Sequence, residues 1–344
     1  MKDCVLFSKL SENTVQCSAC CHRCTIKDGA TGICGVRKNY HGILKLLVWN
    51  KPTGVAVEPV EKKPLFHFLP GTPIFSLGTF GCNFGCLFCQ NAMTSQLSKT
   101  DRWKGMYTKF LNQLKEWPPE KIVSYCTQNT ISSIAFTYNE PSIFTEYTVD
   151  VMKLAKKSGI RGVFVSNGYQ TKECLDYIEP YIDAFNIDLK SFRTEFYQTI
   201  CNAKLQPVLD TIQRIYEMGK WMEITTLVID GKNDSDEELT DIAKFIAQIS
   251  PDIPWHLSAC HPEYKMTDIR VTPKSTLQWA YEIGRQTGLH YVYLGNISNN
   301  AHAHTLCPTC KTILIERNYF DVANNSMKRG ACPNCHTHIP GIWG

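Results

Sequence analysis

The sequence lacks any long apolar run. No stretch approaches the roughly 18 consecutive apolar residues that a membrane-spanning helix requires, and the first twenty residues have no apolar core of the length found in secretory signals. Charge of one sign is also scarce, because 36 basic and 32 acidic residues leave a formal net charge of +4. So weak a charge neither demands nor excludes a nucleic-acid partner. We therefore expect a cytoplasmic protein with no membrane partner.

Cysteine, in contrast, is abundant, with 17 in 344 residues. In a long intracellular chain, clustered cysteines indicate metal sites more often than disulfides. Eleven of the seventeen fall in three tight clusters, which we name the N-terminal tetrad, the central triad and the C-terminal tetrad. The N-terminal tetrad is Cys17, Cys20, Cys24 and Cys34, the central triad is Cys82, Cys86 and Cys89, and the C-terminal tetrad is Cys307, Cys310, Cys332 and Cys335. Metal binding is therefore the expected use of these cysteines.

Composition and periodicity divide the chain into three parts. Residues 1–72 are rich in cysteine and turns and are poorly periodic. Residues 73–300 alternate short, apolar, β-prone runs with helical segments. Residues 301–344 break this alternation and carry two CPxC pairs. We predict a cysteine-rich N-terminal segment able to hold a metal, a central α/β domain and a small C-terminal metal domain.

The alternation in the central part predicts an α/β fold with parallel strands joined by right-handed crossovers. Both an open doubly wound sheet and a full or partial (β/α) barrel fit this pattern. Polar residues follow nearly every predicted strand, and a barrel would bring all these strand ends around one mouth, which favours the barrel. The predicted strands are 73–80, 131–138, 162–167, 184–189, 222–229, 254–259 and 291–296, and the predicted helices are 141–159, 207–219, 234–250 and 274–288.

The central triad lies in GCNFGCLFCQN (81–91), with the spacing C-x3-C-x2-C directly after an apolar strand. Three thiolates on one loop can bind three irons of a cubane cluster, and the sequence has no fourth cysteine nearby, as a ferredoxin cluster would require. One iron would then remain open to another ligand. Gly81 and Gly85 allow the tight backbone that such a loop needs. A zinc site with a remote fourth ligand is the alternative.

This motif, together with later segments, resembles the radical S-adenosylmethionine (SAM) superfamily. The resemblance implies a [4Fe–4S] cluster on Cys82, Cys86 and Cys89, whose open iron binds the amino and carboxylate groups of SAM. It also implies one-electron cleavage of SAM to methionine and a 5′-deoxyadenosyl radical, which abstracts hydrogen from a substrate. An electron donor of the flavodoxin or ferredoxin type is the implied partner.

Three segments at later strand ends extend the resemblance. TYNEP (137–141) is similar to the Gly-Gly-Glu-Pro segment that receives the SAM ammonium, although Tyr138 and Asn139 replace the glycines. VSNGY (165–169) resembles the Ser/Thr-Asn-Gly segment beside SAM, and FNIDLKSF (185–192) resembles the Asp-x-Lys segment of glycyl-radical activases. The alternative for each is an ordinary polar residue at the barrel mouth. The resemblance implies cofactor-binding roles for Asn139, Glu140, Ser166, Asn167, Asp188 and Lys190.

No catalytic residue is identified by these patterns. His256 and His261 lie near the predicted mouth, but a core or supporting histidine is the more common explanation of such residues. Cys201 and Cys260 are similarly more typical of buried cysteines that pack as small apolar side chains.

The N-terminal stretch CSACCHRCTIKDGATGICGVRKN (17–39) narrows the resemblance to the AmmeMemoRadiSam-system radical SAM enzymes, which are similar to activating enzymes of pyruvate formate-lyase. That family's pattern is Cys-x-x-Cys-Pro-His-x-Cys followed by Gly-x-x-Gly-x-Cys-x-Val-Arg, and here Cys21 replaces the proline. The system name implies Memo-type and AMMECR-type companion proteins. The N-terminal tetrad can hold a structural zinc or a second iron–sulfur cluster. We favour zinc, because the loop is short and His22 offers a competing ligand.

The C-terminal tetrad consists of CPTC (307–310) and CPNC (332–335), which flank the strand-like segment ILIERNYF. Two such pairs enclose one tetrahedral metal, which predicts a zinc ribbon. An auxiliary iron–sulfur cluster is the less favoured alternative. Nearby basic and aromatic residues would also suit a nucleic-acid partner, although a solvated zinc ribbon looks much the same. These residues are Lys311, Arg317, Lys328, Arg329, Tyr319 and Phe320.

The leading hypothesis is therefore a SAM-cleaving radical enzyme that acts on an unidentified substrate, with Memo-type and AMMECR-type companions. A glycyl-radical enzyme activase that acts on a protein glycine is the alternative within enzymes. It is less favoured because activases with auxiliary clusters carry their extra cysteines after the SAM triplet. A nucleic-acid-binding zinc protein with a degenerate barrel is the alternative of a different class, and it predicts no 5′-deoxyadenosine from SAM.

Overall fold

The structure, a computed structural model, describes residues 1–298 and 301–344, with the side chains of residues 101–105 left undescribed. Its N-terminal part forms two small antiparallel sheets, with the strand orders β1-β6-β5 and β2-β3-β4. The strands are β1 (Lys2–Asp3), β2 (Phe7–Ser11), β3 (Thr14–Cys17), β4 (Thr25–Lys27), β5 (Arg37–Tyr40) and β6 (Ile43–Leu46). Fully buried residues such as Val15, Val36 and Leu44 join these sheets to the core of the central domain.

The central sheet has eight strands, in which the chain order is also the spatial order. They are β7 (Gly54–Pro59), β8 (Pro73–Gly78), β9 (Ser133–Phe136), β10 (Arg161–Ser166), β11 (Ala184–Asp188), β12 (Trp221–Val228), β13 (Trp255–Ala259) and β14 (Val292–Gly295). Strands β8 to β14 are parallel, and β7 pairs with β8 in the antiparallel sense. Within the described chain, β7 and β14 end the sheet without pairing with each other. The predicted (β/α) architecture is confirmed, in the form of a partial barrel.

Helices connect the parallel strands and cover the outside of the sheet. They are α1 (Ala92–Ser95), α2 (Asp101–Gln113), α3 (Pro119–Gln128), α4 (Thr145–Ala155), α5 (Lys172–Ile178), α6 (Thr194–Phe196), α7 (Gln206–Glu217), α8 (Asp236–Ile249) and α9 (Lys274–Gln286). The sequence signals act as expected at α8, where the Ser235 hydroxyl accepts a hydrogen bond from the Glu238 backbone and acidic residues occupy the first turn. Aromatic rings of neighbouring strands pack behind the sheet, as Phe164 does against Phe136 and Phe185.

The first strand of the sheet, β7, lies inside the part of the chain predicted as a separate N-terminal segment, residues 1–72. It pairs with β8 over its whole length, from Gly54 opposite Gly78 to Pro59 opposite Pro73. The sheet therefore begins before residue 73, because residues 60–72 reverse the chain and return β8 beside β7. The predicted end of the central domain, at residue 300, lies outside the described residues.

The C-terminal part is a three-stranded antiparallel sheet of β15 (Thr305–Leu306), β16 (Ile313–Asn318) and β17 (Asp321–Asn325). Arg317 fixes this sheet to the barrel, since its buried guanidinium donates hydrogen bonds to the Phe66 carbonyl at 2.7 Å and to Thr305 Oγ1 at 2.8 Å. The chain end is also anchored, because Ile342 and His67 share a backbone hydrogen bond of 2.7 Å. The C-terminal sheet is thus held against the barrel by hydrogen bonds as well as by the connecting chain.

A buried polar network extends this junction into the barrel. Glu223 of β12 accepts hydrogen bonds from the backbone N–H groups of Phe66 and His67, and it lies 2.6 Å from His256 Nε2. His67 donates from Nδ1 to the Pro340 carbonyl, and its Nε2 shares a hydrogen bond of 2.6 Å with the Tyr293 hydroxyl. The neutral imidazole protonated at Nδ1 satisfies both contacts when the hydroxyl donates. Burial accordingly lowers the pKa of His67 from 6.5 to about 4.

No helix among the described residues is long and apolar enough to span a bilayer.

We expect the free energy of unfolding to decrease as the pH falls from 6.5 to 4. In that window the unfolded chain protonates His67 whereas the folded protein does not, so protons favour the unfolded state, and the full shift corresponds to about 3 kcal/mol. Urea unfolding between pH 7 and pH 4 measures the effect. His67→Gln should flatten this part of the profile, whereas Asn129→Ala, at an exposed side chain without an ionisable group, should leave its slope unchanged. An equally steep profile in His67→Gln would contradict the assignment.

Candidate active site

The carboxyl ends of the parallel strands surround a cavity of about 490 Å³. This is the edge where functional residues gather in parallel α/β barrels, and the volume is typical of a small-molecule site. The structure brings together around it all nine residues predicted for the iron–sulfur cluster and SAM. These are Cys82, Cys86, Cys89, Asn139, Glu140, Ser166, Asn167, Asp188 and Lys190.

The loop that carries the central triad leaves β8 through backbone that requires glycine. Gly81 has a φ of 87°, and a Cβ on it would lie 2.5 Å from the Cys34 carbonyl oxygen. Further along the loop, the Gly85 N–H donates to the Cys201 carbonyl at 2.9 Å. The loop is therefore held between the N-terminal segment on one side and the π-helical turn Tyr197–Cys201 on the other.

The thiols of the central triad are enclosed. Burial raises the pKa of Cys82 to about 12. A hydrogen bond with the Cys201 thiol is the largest cause of the raised pKa of Cys86, and burial adds to it. Burial also raises the pKa of Cys89, against the opposing hydrogen bond of the Ser95 hydroxyl. A bound cation is therefore needed to stabilise these sulfurs as thiolates.

Asn139 clamps the start of this loop. Its Nδ2 donates to the Gly81 carbonyl at 2.7 Å and to Thr79 Oγ1 at 3.1 Å, and its Oδ1 accepts from the Thr79 N–H at 3.1 Å. The Asn139 side-chain amide thus forms its hydrogen bonds with the loop, and these bonds position Cys82.

Tyr138 precedes Asn139 and adopts a left-handed backbone conformation, with a φ of 67°. A non-glycine residue there costs about 1–2 kcal/mol. The Tyr138 side chain offsets this cost through a 2.8 Å hydrogen bond from its hydroxyl to Glu58 and through Lys63, whose ammonium lies 4.8 Å from the ring centroid. These two contacts hold Tyr138 in the left-handed conformation.

Glu140 is 1% exposed, and its carboxylate is already satisfied within the protein. It accepts hydrogen bonds from the N–H of Ser142 at 2.9 Å, the N–H of Asn167 at 2.8 Å and the Ser166 hydroxyl at 3.0 Å. Burial raises the pKa of this carboxyl group, and these hydrogen bonds oppose the rise. Glu140 thus ties the end of β9 to the end of β10, and its predicted contact with the SAM ammonium stays a prediction.

Asn167 connects β10 to the triad loop. Its Nδ2 donates to Asn83 Oδ1 at 2.7 Å, and its Oδ1 accepts from the N–H of Tyr169 at 3.2 Å. Asn83 directly follows Cys82, so this contact fixes the first thiol of the triad from the side opposite Asn139.

Asp188 and Lys190 form an ion pair at the end of β11, with Lys190 Nζ 2.7 Å from Asp188 Oδ2. Burial opposes the charge of Lys190, but Asp188 and the neighbouring thiols hold the pKa of the ammonium well above its usual range. Lys190 Nζ also lies 5.7 Å from the centroid of the Phe88 ring. The cavity therefore contains a permanent cation beside the triad loop.

Several cavity residues were not predicted as functional from the sequence. His256 lines the cavity with Glu223 behind it, and Cys201 contacts Cys86. Glu223 had a detectable signal, because it is a charged residue within the otherwise apolar or uncharged strand MEITTLVI. Phe320, from the C-terminal sheet, also lines the cavity, and no local pattern could have placed it there.

The N-terminal tetrad lies behind the triad loop. All four cysteines line one small cavity that also includes His22 and Asn83. Cys21, which adds an ambiguous ligand in the sequence, is not part of it, because its thiol donates to the Gln170 carbonyl at 3.1 Å and it lines a different cavity. His22 Nε2 lies 3.0 Å from the Asn83 carbonyl oxygen, with which it shares a hydrogen bond.

The C-terminal tetrad has a different geometry, in which the four Sγ atoms converge on one point. Cys307 and Cys335 have sulfurs 3.5 Å apart, and those of Cys310 and Cys332 are 3.6 Å apart. A tetrahedral ion with metal–sulfur bonds of 2.3 Å needs sulfurs about 3.8 Å apart. Among the residues that the structure describes, this is the only group of three or more His, Cys, Asp or Glu ligand atoms within 4.8 Å of one another.

We predict that Asn139→Ala reduces the free energy of unfolding by about 1–3 kcal/mol, because it leaves the buried polar groups of Thr79 and Gly81 without their partner. Thermal or urea unfolding of the metal-free protein measures this loss. Asn129→Ala is the matched control, because the Asn129 side chain is exposed and bonds only the Tyr125 carbonyl in the same helical turn. Equal decreases in the free energy of unfolding of the two variants would show that the hydrogen bonds of Asn139 do not stabilise the protein.

Comparison with known proteins extends these observations. Residues 76–246 match the model of the radical SAM superfamily. The chain is 36% identical over 342 residues to an uncharacterized protein of Methanocaldococcus jannaschii, covering 98% of this chain and 99% of that protein. A second protein of that organism, provisionally named a glycyl-radical enzyme activating enzyme, is 30% identical over 192 residues, which cover 53% of this chain and 66% of that protein.

Among solved structures, a radical SAM methyltransferase from Sphaerobacter thermophilus aligns with a TM-score of 0.50 and 15% identity, covering 69% of this chain and 71% of that one. A domain of a pyruvate-formate lyase-activating enzyme from Bacteroides vulgatus aligns with a TM-score of 0.42 and 24% identity, covering 47% of this chain and 98% of that one. The first of these similarities concerns the fold alone. Residues 76–246 therefore form a radical SAM superfamily domain, and the members of that superfamily are enzymes that use a [4Fe–4S] cluster and SAM.

Proposed function

We propose that this enzyme binds a [4Fe–4S] cluster through Cys82, Cys86 and Cys89 and cleaves SAM reductively to act on a substrate not yet identified. One observation carries the proposal. The three thiols of a single loop line the same cavity as the polar ends of β9, β10 and β11.

The donor set fits the cluster. The three thiols of the triad are enclosed and have raised pKa values, so a bound cation would stabilise them as thiolates. The Cys201 thiol shares a hydrogen bond with the Cys86 sulfur. Phe84 and Phe88 give part of the cavity wall an apolar lining. When bound, the cluster supplies one electron to SAM, which yields methionine and the 5′-deoxyadenosyl radical that abstracts hydrogen from the substrate.

We assign distinct tasks to the residues around the triad. The Lys190 ammonium, oriented by Asp188, is the group suited to the carboxylate of an amino-acid moiety such as that of SAM. Glu140, Ser166 and Asn167 form the hydrogen-bonded support at the amino-group side, and Asn139 positions Cys82. Their predicted contacts with the cofactor rest on this common cavity.

The membership in the AmmeMemoRadiSam-system family is part of the proposal and is supported by the N-terminal pattern at 17–39. It makes Memo-type and AMMECR-type proteins the proposed companions, and a flavodoxin- or ferredoxin-type protein the proposed electron donor. A nucleic-acid partner is less favoured, because Arg317 is buried in the junction with the barrel and Phe320 lines the cavity. Neither residue is therefore available on an open basic face.

A second candidate function is activation of a glycyl-radical enzyme. It is favoured by the relative that carries this provisional name, at 30% identity over 192 residues. An activase must admit a glycine-bearing segment of a protein to the cavity, and it would leave an EPR-detectable radical on that protein after turnover. Absence of such a radical from every candidate polypeptide, with SAM cleavage intact, would leave the first proposal standing alone.

We expect Cys86→Ala to abolish formation of 5′-deoxyadenosine from SAM in the presence of dithionite, because two thiolates no longer retain the cluster. Liquid chromatography of anaerobic reactions measures the product. Cys126→Ala, at a buried cysteine remote from the cavity lining, is the matched control and should cleave SAM like the natural protein. Equal cleavage by the natural protein and Cys86→Ala would overturn the assignment of the triad.

We also propose that the C-terminal tetrad binds one zinc ion. The convergence of its four sulfurs supports a single tetrahedral metal, and the Thr312 hydroxyl lowers the pKa of Cys310 to about 5, which favours the thiolate. Cys332→Ala should therefore lose about one zinc per chain by elemental analysis while retaining iron. Iron in place of zinc at this site, or zinc content equal in Cys332→Ala and the natural protein, would contradict this proposal.

A further inference from the structure

The N-terminal tetrad is the one cysteine cluster that the proposed function leaves without a role. Its members are Cys17, Cys20, Cys24 and Cys34, and all four line the cavity behind the triad loop. Sequence reasoning favoured zinc here. The three cysteine clusters of the described chain can now be compared with one another.

The spacing of the sulfur atoms separates two kinds of cluster. The C-terminal tetrad has all four sulfurs within 4.8 Å of one another, as a single tetrahedral ion requires. Over the described residues, no three ligand atoms of the N-terminal tetrad meet that limit, and neither do those of the central triad. A cubane separates its thiolates more widely than a single ion does, because each thiolate binds a different iron. The N-terminal tetrad therefore lacks the sulfur spacing of a single tetrahedral ion, and it is compatible with four thiolates that each bind a different iron.

Asn83 supplies a second, independent sign of a ligand. It is 1% exposed and lines the tetrad cavity, and its Nδ2 has no hydrogen-bond partner. Its Oδ1 is used by Asn167, so the amide orientation is fixed. A buried N–H2 group without an acceptor is costly, and the sulfur of a bound cluster would supply the acceptor.

The tetrad also lies in direct contact with the triad loop. The Cys34 carbonyl packs against Gly81, the residue before Cys82, so closely that a Cβ there would approach it to 2.5 Å. On the other side, His22 hydrogen bonds the carbonyl of Asn83, the residue after Cys82. Cys24 lies at the outer edge of the cavity, half-buried and next to the exposed Ile33. The tetrad therefore has one face toward the triad and one toward solvent.

We propose that the N-terminal tetrad binds a second [4Fe–4S] cluster, which relays electrons from an external donor protein to the cluster at the central triad. The relay rests on the proposed function of the triad, whereas the second cluster does not. In each transfer, a flavodoxin- or ferredoxin-type donor reduces the second cluster by one electron. The second cluster is reoxidised when it passes that electron to the first. No bond forms or breaks in the transfer.

Iron and sulfide analysis after anaerobic reconstitution tests the second cluster. The full-length variant with Cys82→Ala, Cys86→Ala and Cys89→Ala should retain about four irons and four sulfides per chain, with the Mössbauer spectrum of a [4Fe–4S] cluster, against about eight irons in the natural protein. Zinc at the tetrad with no iron in this variant would overturn the proposal. If the variant and the natural protein contain the same four irons, the second cluster stands and the proposed function of the triad fails.

Variants of the tetrad complete the test. Cys20→Ala with Cys34→Ala should lose about half of the iron of the natural protein, whereas the neighbouring Cys21→Ala should lose none, because its thiol faces Gln170. If the double variant does not fold by circular dichroism, Cys24→Ala at the cavity edge, which offers no ligand atom, replaces it. That variant should show a [3Fe–4S] EPR signal or the same loss of iron. A full iron content in either tetrad variant would refute the site.

The relay has its own readout, the ratio of SAM cleavage driven by reduced flavodoxin to that driven by dithionite. Dithionite is small enough to reach the first cluster directly through the cavity. The ratio should fall by about tenfold or more in the tetrad variant and remain constant in Cys21→Ala. An unchanged ratio in the tetrad variant would show that the second cluster has only a structural role.

Discussion

The placement of three thiols on one short loop inside a cavity constrains most of the molecule. The loop has no regular structure, so its backbone groups must find partners elsewhere. Asn139 supplies them at Gly81, the turn at 197–201 supplies them at Gly85, and Asn167 holds Asn83. Glu140 then fixes Asn167 in turn. The polar ends of β9 and β10 are therefore used largely to hold the loop, whereas the Asp188–Lys190 pair at the end of β11 lines the cavity beside it.

Packing contacts and buried hydrogen bonds also join the three parts of the chain. The N-terminal segment packs against the loop through Cys34 and shares the core of the barrel, and the C-terminal sheet is locked to the barrel through Arg317 and His67. The proposed metal sites at both ends of the chain are thus packed against the residues that surround the cavity. Binding of a metal at either end should therefore stabilise the whole fold.

Local patterns predicted the barrel well, because strand and helix periodicity and cap residues act over a few residues. The nine cavity residues were also found, because motifs place them directly after strands, where parallel strands must meet. Their individual roles were less predictable. Asn139 and Glu140 were expected to contact the cofactor, which stays a prediction, and the structure adds that their side chains bond the loop and the neighbouring strand end. Arg317 was grouped with surface bases, although it is buried against Phe66 and Thr305.

The sequence by itself determined the three cysteine clusters, the α/β alternation and the family resemblance, because each depends on residue types at fixed local spacing. Only the tertiary structure decided which groups meet across long separations. It placed Phe320 in the cavity, Glu223 behind His256 and Asn83 between two cysteine clusters. It also distinguished the converging sulfurs of the C-terminal tetrad from the wider N-terminal set. Sulfur–sulfur distance depends on how the turns fold in space, which the spacing of cysteines along the chain does not specify.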